Sequence, residues 1–255
     1  MATVEAEHVQ RDQPAGVPPL TLTGERTLPD VPAENYWFRR HLAVYEWIAE
    51  RCAGLEVVDL ACGEGYGTDV LARRAARVTG VDANPEAFEH ARLKYERPGV
   101  RFVRDLVESY EEPCDAVVFL QTIEHVEDPK GMLDRFRSLL RPGGTAYVST
   151  PNVLTLAPPG AEKSDNPWHL REYRPEEFQH LCEGSFDQVE MYGVFHARKL
   201  LVHDYALRLG WDDLHRVLGI TRTFYDWFTP AISARDFALR RGPLERALDF
   251  VAVLR

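Results

Sequence analysis

The chain has 255 residues, enough for one large domain with ample core, and its 45% hydrophobic and 27% charged residues are ordinary for a soluble globular protein. A formal net charge of −10 argues against a nucleic-acid backbone as the main partner, because surfaces that bind one are basic. No apolar run approaches the ~18 residues that a membrane span needs, and Cys52, Cys62, Cys114 and Cys182 show neither a CxxC nor a paired spacing, so reduced thiols in a cytoplasmic protein are expected.

In chain order, residues 1–19 carry acids, a histidine and prolines but no apolar signal core, and read as a disordered leader before a single domain over 20–255. A helix is predicted over about 34–51, with Trp37, His41, Val44, Tyr45 and Ile48 on one stripe. The core then alternates: strand 55–60, helix 67–76, strand 77–82, helix 85–95 and strand 100–104. Strand 115–120, helix 129–140 and strand 144–149 follow, with Pro142-Gly143-Gly144 as the turn between the last two. Such alternation means a parallel sheet covered by helices on both faces. A loop from Thr150 to Tyr173 leads to a helix that Pro175 opens and that runs to Cys182. Val189–Phe195 and Leu248–Leu254 read as strands. Between them, 197–241 reads as a helical insertion rich in aromatics. It is either a lid or cap for a second ligand, or a packing or dimerisation surface; a homodimer is compatible with the sequence.

The first strand breaks into Asp59-Leu60-Ala61-Cys62-Gly63-Glu64-Gly65-Tyr66-Gly67. Glycines there let the backbone approach a ligand closely. An acid just upstream suits a ligand with an ammonium group better than one with a pyrophosphate, which fits the methionine end of S-adenosylmethionine. Asp82 closes the second strand 23 residues beyond Asp59, near the spacing at which a carboxylate meets ribose hydroxyls. On these residues the chain resembles the class I S-adenosylmethionine-dependent methyltransferases. The resemblance implies a Rossmann-like α/β fold with a mostly parallel seven-stranded sheet whose final strand is antiparallel.

Two further segments carry chemistry. Gln121-Thr122-Ile123-Glu124-His125 follows the fourth strand, and Asn166-Pro167-Trp168-His169 follows the fifth, on the same sheet edge. Gln121, Glu124, His125 and His169 together form a candidate open site for Mg²⁺ or Mn²⁺, while a purely structural Glu-His pair is the competing reading. The set resembles that of metal-dependent O-methyltransferases, with Gln121 where they have a glutamate. Thr23-Gly24-Glu25-Arg26-Thr27-Leu28-Pro29 and Asn35-Tyr36-Trp37-Phe38-Arg39-Arg40-His41 resemble actinobacterial sugar O-methyltransferases of the methylmannose polysaccharide 1-O-methyltransferase group.

That resemblance implies transfer to a hydroxyl of a small acceptor, a sugar or glycoside, with neither nucleic acid nor membrane as partner. Alternatives are a polyketide, phenol or lipid acceptor, or a cofactor-binding scaffold without activity. The implied cofactor contacts are Tyr36, Arg40, Asp59, Ala61, Gly63, Glu64, Gly65, Asp82, Ala83, Asp105, Leu106 and Gln121. Arg40 would fork onto the methionine carboxylate, and Asp105 would meet the adenine unless it caps the turn after it. The implied catalytic groups are Glu124, His125 and His169.

Overall fold

The computed structural model describes residues 9–24, 26–158 and 160–255. The alternating part of the chain folds as its pattern predicts. Strands β1 (Glu56–Leu60), β2 (Arg77–Val81), β3 (Val100–Val103), β4 (Cys114–Leu120) and β5 (Leu140–Pro151) pair in parallel in the order β3-β2-β1-β4-β5. Helices α1 (Asn35–Ala49), α2 (Tyr66–Leu71), α3 (Pro85–Tyr95) and α4 (Pro129–Leu139) alternate with them. Asn84 and Asp128 start α3 and α4: each side-chain oxygen accepts a backbone N–H of the first turn, and a proline follows. The predicted turn at Pro142–Gly144 lies inside β5, where Cys114 pairs with Leu140 before it and Ala116 with Thr145 after it. It is a bulge in the sheet, not a break between elements.

Beyond β5 come short α5 (Val153–Leu156), α6 (Pro175–Glu183) and β6 (Val189–His196), then α7 (Arg198–Arg208), α8 (Trp211–Val217) and α9 (Thr221–Phe228). The sheet has eight strands, not the expected seven. Phe237–Arg240 forms β7, antiparallel to β6, and β8 (Asp249–Leu254) inserts antiparallel between β5 and β6. The expected helical stretch 197–241 is therefore α-helical only to Phe228, with one 3-10 turn at Ala234–Asp236 beyond it. Its last residues form an edge strand too short for its period to show.

Because side chains alternate along each strand, one sheet separates two cores. Val58, Leu60, Val117 and Phe119 face α4 and α6 through Phe136 and Phe178, whereas Val57, Ala116 and Val118 face α1 and α2 through Ile48 and Leu71. Of the expected disordered leader, residues 1–8 lie outside the described residues, but 9–19 are packed. Gln10 and Val17 are buried, and Gln10 exchanges hydrogen bonds with Leu20. Leu20, Leu28 and Val31 complete a small apolar cluster under this strap. Among the described residues no helix is long and apolar enough to cross a membrane.

One contact fixes α1 on the sheet. Arg40 is buried and grips both carboxylate oxygens of buried Asp249 at the start of β8, with a third bond from Nη2 to the Leu248 carbonyl at 2.7 Å. This departs from the expected role of Arg40 as a fork for the cofactor carboxylate: its Nε and Nη2 are taken by Asp249 and Leu248, and it does not line the cavity described below. Breaking a buried pair from one side strands a charge, at a cost of about 3–5 kcal/mol. Asp249→Asn should therefore lower unfolding stability by that amount in urea titrations, whereas Arg40→Met combined with Asp249→Leu should recover most of it.

Candidate active site

A cavity of about 440 Å³ opens at the carboxyl ends of the parallel strands, where ligands bind in open α/β sheets. Its walls come from the strap (Leu22, Gly24, Arg26, Thr27), α1 (Trp37, His41, Tyr45), the loop after β1 (Ala61–Glu64), the turn after β4 (Gln121–His125) and the loop after β5 (Ser164–His169). Ala61 and Gln121, the first residues past neighbouring β1 and β4, both hold left-handed backbone, with φ of 55° and 52°. Such strain at non-glycine residues persists where surrounding structure imposes it, and ligand sites are where it concentrates.

The glycine loop has two different needs for glycine. At Gly63, with φ of 56°, a side chain would meet nothing within 4 Å, so that position is open space for a ligand. At Gly67 a Cβ would sit 2.1 Å from the Tyr45 ring, so this glycine lets α2 press against α1. Asp82 Oδ2 accepts the Gly63 N–H at 2.7 Å and Oδ1 accepts the Asn84 N–H at 2.9 Å, which places the carboxylate beside the loop with lone pairs to spare.

Asp59 is different. It is fully buried beneath the loop, accepts hydrogen bonds from Thr68 Oγ1 at 2.7 Å and Tyr45 Oη at 3.2 Å, and does not line the cavity. Burial pushes its carboxyl up to about 7 against the pull of those bonds. Its geometry is that of a brace for the loop, which departs from the expected contact with a ligand ammonium.

Several other expected contacts also fall elsewhere. Tyr36 Oη bonds to His196 Nε2 at 2.6 Å, outside the cavity lining. Glu64 lines the cavity, but its carboxylate is taken by Gln10, His90, Lys94 and Tyr95 at 2.7–3.1 Å. Gly65, Asp82, Ala83, Asp105 and Leu106 are not in the lining either; Gly65 caps α2 with φ of 95°, and Asp105 Oδ1 accepts the Leu106 N–H at 2.8 Å. Gly63 and Ala61 do line it, and Gln121, which also does, is held by Ser149 through both its backbone and side-chain nitrogen.

The residues proposed from distant segments do converge. Ligand-capable atoms of Glu124, His125 and His169 lie within 4.8 Å of one another, and the two imidazoles are 5.0 Å apart between centroids. The backbone explains why: the N–H groups of Leu170 and Arg171 both donate to the Glu124 carbonyl, which stitches the later loop to the turn after β4. Nδ1 of His125 donates to the Trp168 carbonyl at 2.8 Å, and Nδ1 of His169 donates to Glu172 Oε1 at 2.7 Å. These partners set the tautomers so that Nε2 is the unprotonated nitrogen of each ring, and that of His169 accepts a hydrogen bond from Asn166 Nδ2 at 3.0 Å.

Glu124 is buried, with Thr150 donating to Oε2 at 3.0 Å, and burial pushes its carboxyl up to about 8. The orienting residues Glu172, Asn166 and Thr150 were not singled out from sequence; the i,i+3 spacing of His169 and Glu172 was the one signal available. Burial works against charge on Glu172 too, yet the Ser164 and His169 hydrogen bonds hold its carboxyl below the usual range.

A third histidine, His41, lines the cavity from α1 and was read only as part of an apolar stripe. Burial, with Asp249 opposing it and Arg40 reinforcing it, lowers the imidazole to about 4. The imidazole is therefore neutral at pH 7. In the unfolded chain it protonates near 6.5, so between about 6.5 and 4 the unfolded state binds more protons and stability falls as pH falls, by at most about 3 kcal/mol. Asp59 and Glu124, whose carboxyls burial raises, gain stability over the same range, so the His41 contribution should appear as a difference: in denaturation titrations at pH 7.5 and 5, His41→Gln should gain stability relative to the unmodified protein at the lower pH.

A profile of the methyltransferase domain family matches residues 34–200. The chain is 43% identical over 184 residues to a probable S-adenosylmethionine-dependent methyltransferase of Mycolicibacterium smegmatis, covering 71% of each protein. It is 36% identical over 129 residues to a ubiquinone biosynthesis O-methyltransferase of Xylella fastidiosa, covering 46% of this chain and 52% of that protein. Among solved structures, an S-adenosylmethionine-dependent methyltransferase from Mesorhizobium loti shares the fold with a TM-score of 0.54 at 19% identity, over 83% of this chain and 97% of that one.

Proposed function

The chain belongs to the methyltransferase domain family and is an S-adenosylmethionine-dependent methyltransferase, and on that premise we propose that it methylates a hydroxyl of a sugar or glycoside with a divalent cation at the acceptor side. The observation that carries the reading is the meeting of Glu124, His125 and His169 in the same cavity as the glycine loop. Methyl transfer from a sulfonium is an in-line displacement in which the sulfonium charge is neutralised. The protein must hold the acceptor oxygen about 3 Å from the methyl carbon and remove its proton.

Ala61 and Gly63 would provide the close backbone approach, and Asp82, which brackets Gly63 from outside the cavity lining, would turn its remaining lone pairs to the ribose hydroxyls. On the acceptor side His125, His169 and the Glu124 carboxylate would hold the ion, with Asn166 turning aside from His169 Nε2 to admit it, and Gln121 lines the same wall. Two imidazoles, each oriented by a carbonyl or carboxylate, and one acid fit a borderline divalent ion. Such an ion lowers the pKa of a hydroxyl and orients it.

A sugar is supported by the polar groups of the acceptor-side wall (Gln121, Thr122, Ser164, Asp165, Asn166), set among apolar Leu120, Pro151 and Leu156, and by exposed Trp37, whose indole suits the apolar side of a pyranose. The similarity to a ubiquinone-pathway enzyme favours a second reading, a phenolic acceptor. None of residues 197–241 lines the cavity, so acceptor choice is ascribed to the strap, α1 and the loop after β5.

S-adenosylhomocysteine should bind with a micromolar Kd, roughly 7–8 kcal/mol, and Asp82→Ala should weaken it strongly in calorimetry. On a panel of glycosides and catechols, methyl release should favour glycosides, stop with excess EDTA and return with Mg²⁺ or Mn²⁺. Full turnover by a metal-free preparation would mean that one imidazole acts as a plain general base.

A further inference from the structure

An arginine outside the sequence-derived set faces the cavity. Arg26 is the single lysine or arginine among the cavity's described lining residues, while Glu34, Glu64, Glu124 and Asp165 also contribute there. It forms no hydrogen bond or ion pair among the described residues, unlike Arg40, whose guanidinium is closed off by Asp249 and Leu248. A half-buried arginine in the wall of a ligand cavity, with no partner among the described residues, calls for an anion from the ligand.

The strap that carries Arg26 is anchored to the cofactor loop itself. Gln10 Nε2 bridges the Pro29 carbonyl and Glu64 Oε1, both at 3.1 Å. His90 spans the Pro18 carbonyl at 2.8 Å and Glu64 Oε1 at 2.9 Å. Glu64 belongs to the glycine loop, so the strap and the loop are fixed to each other through one buried carboxylate, and Arg26 is delivered to the wall of the same cavity that Ala61, Cys62 and Gly63 line.

We propose that Arg26 binds the carboxylate of the cofactor's amino-acid end, in the role that Arg40 cannot fill. This rests on the cofactor reading above. A planar guanidinium meets a carboxylate through two parallel N–H···O bonds, which no other described side chain of the wall can offer. Arg26 is thus a positioning residue: by fixing the amino-acid end it sets where the sulfonium lies relative to the acceptor.

The test measures binding of two ligands that differ in the amino-acid part. S-adenosylhomocysteine carries the carboxylate and 5′-methylthioadenosine lacks it. Arg26→Gln should raise the Kd of S-adenosylhomocysteine by roughly 10- to 150-fold, the loss expected for hydrogen bonds to a charged group, and leave that of 5′-methylthioadenosine within about twofold. Arg26→Lys, which keeps the charge but not the fork, should fall between. Equal weakening of both ligands, or no weakening of S-adenosylhomocysteine, overturns the assignment. So does a change confined to the acceptor KM, which would place the anion on the acceptor. Failure of the unmodified protein to bind S-adenosylhomocysteine would instead defeat the cofactor reading, independently of any Arg26 variant.

Discussion

The ion pair between Arg40 and Asp249 is the constraint from which the site's geometry follows. It joins the middle of α1 to the first residue of β8, which pairs with Pro151 at the carboxyl end of β5. A helix laid on a sheet by apolar contacts alone can slide and rotate at little cost. A bidentate fork has one geometry, so α1 has one register. Trp37, His41 and Tyr45 occupy the cavity wall because the turn between them is pinned. Desolvation makes such a pair a poor source of net stability, but it penalises every alternative placement of the helix.

Below that wall, two aspartates from successive strands do different work because their surroundings differ. Asp82 is half-buried and gives its oxygens to backbone N–H groups, which shapes the loop. Asp59 has lost all contact with water and meets only hydroxyls. Its carboxyl can release a proton only against the cost of a buried charge. The glycine loop is thus held from both sides, by a polar bracket on its rim and a hydroxyl-bonded acid beneath. The strap adds a third hold through Glu64.

The parallel sheet was legible because each strand is a short apolar run and each helix carries its own start signal, such as Asn84-Pro85 or Asp128-Pro129. The convergence of Glu124, His125 and His169 was legible for a topological reason: both loops leave the same edge of a parallel sheet. What stayed hidden depended on partners far away in the chain. Arg40 looks like any arginine beside an aromatic stripe until Asp249, 209 positions on, is folded against it. Residues 9–19 look disordered by composition, yet one buried glutamine and a histidine on α3 hold them. Strand β7 has four residues, and its assignment comes from pairing with β6 and not from its own pattern.

The excursion through α7, α8 and α9 leaves the sheet at His196 and returns at Phe237, and those two residues are paired neighbours in the β6–β7 ladder. The Ala197 N–H reaches the Asp236 carbonyl at 2.7 Å, so the two ends close on each other almost like a hairpin turn. Closing a loop costs only the logarithm of its length, so the sheet is nearly indifferent to how much chain hangs from that point. It is tied to α1 by polar bonds, from Asn35 to the Thr229 and Ile232 carbonyls and from Tyr36 through His196 to Asp204, and by Leu200 and Ile232, which are buried in the same apolar cluster as Ile48. The sheet thus fixes where the excursion starts and ends, while the largely exposed chain of α8 and α9 between those points could change length without disturbing a strand pair.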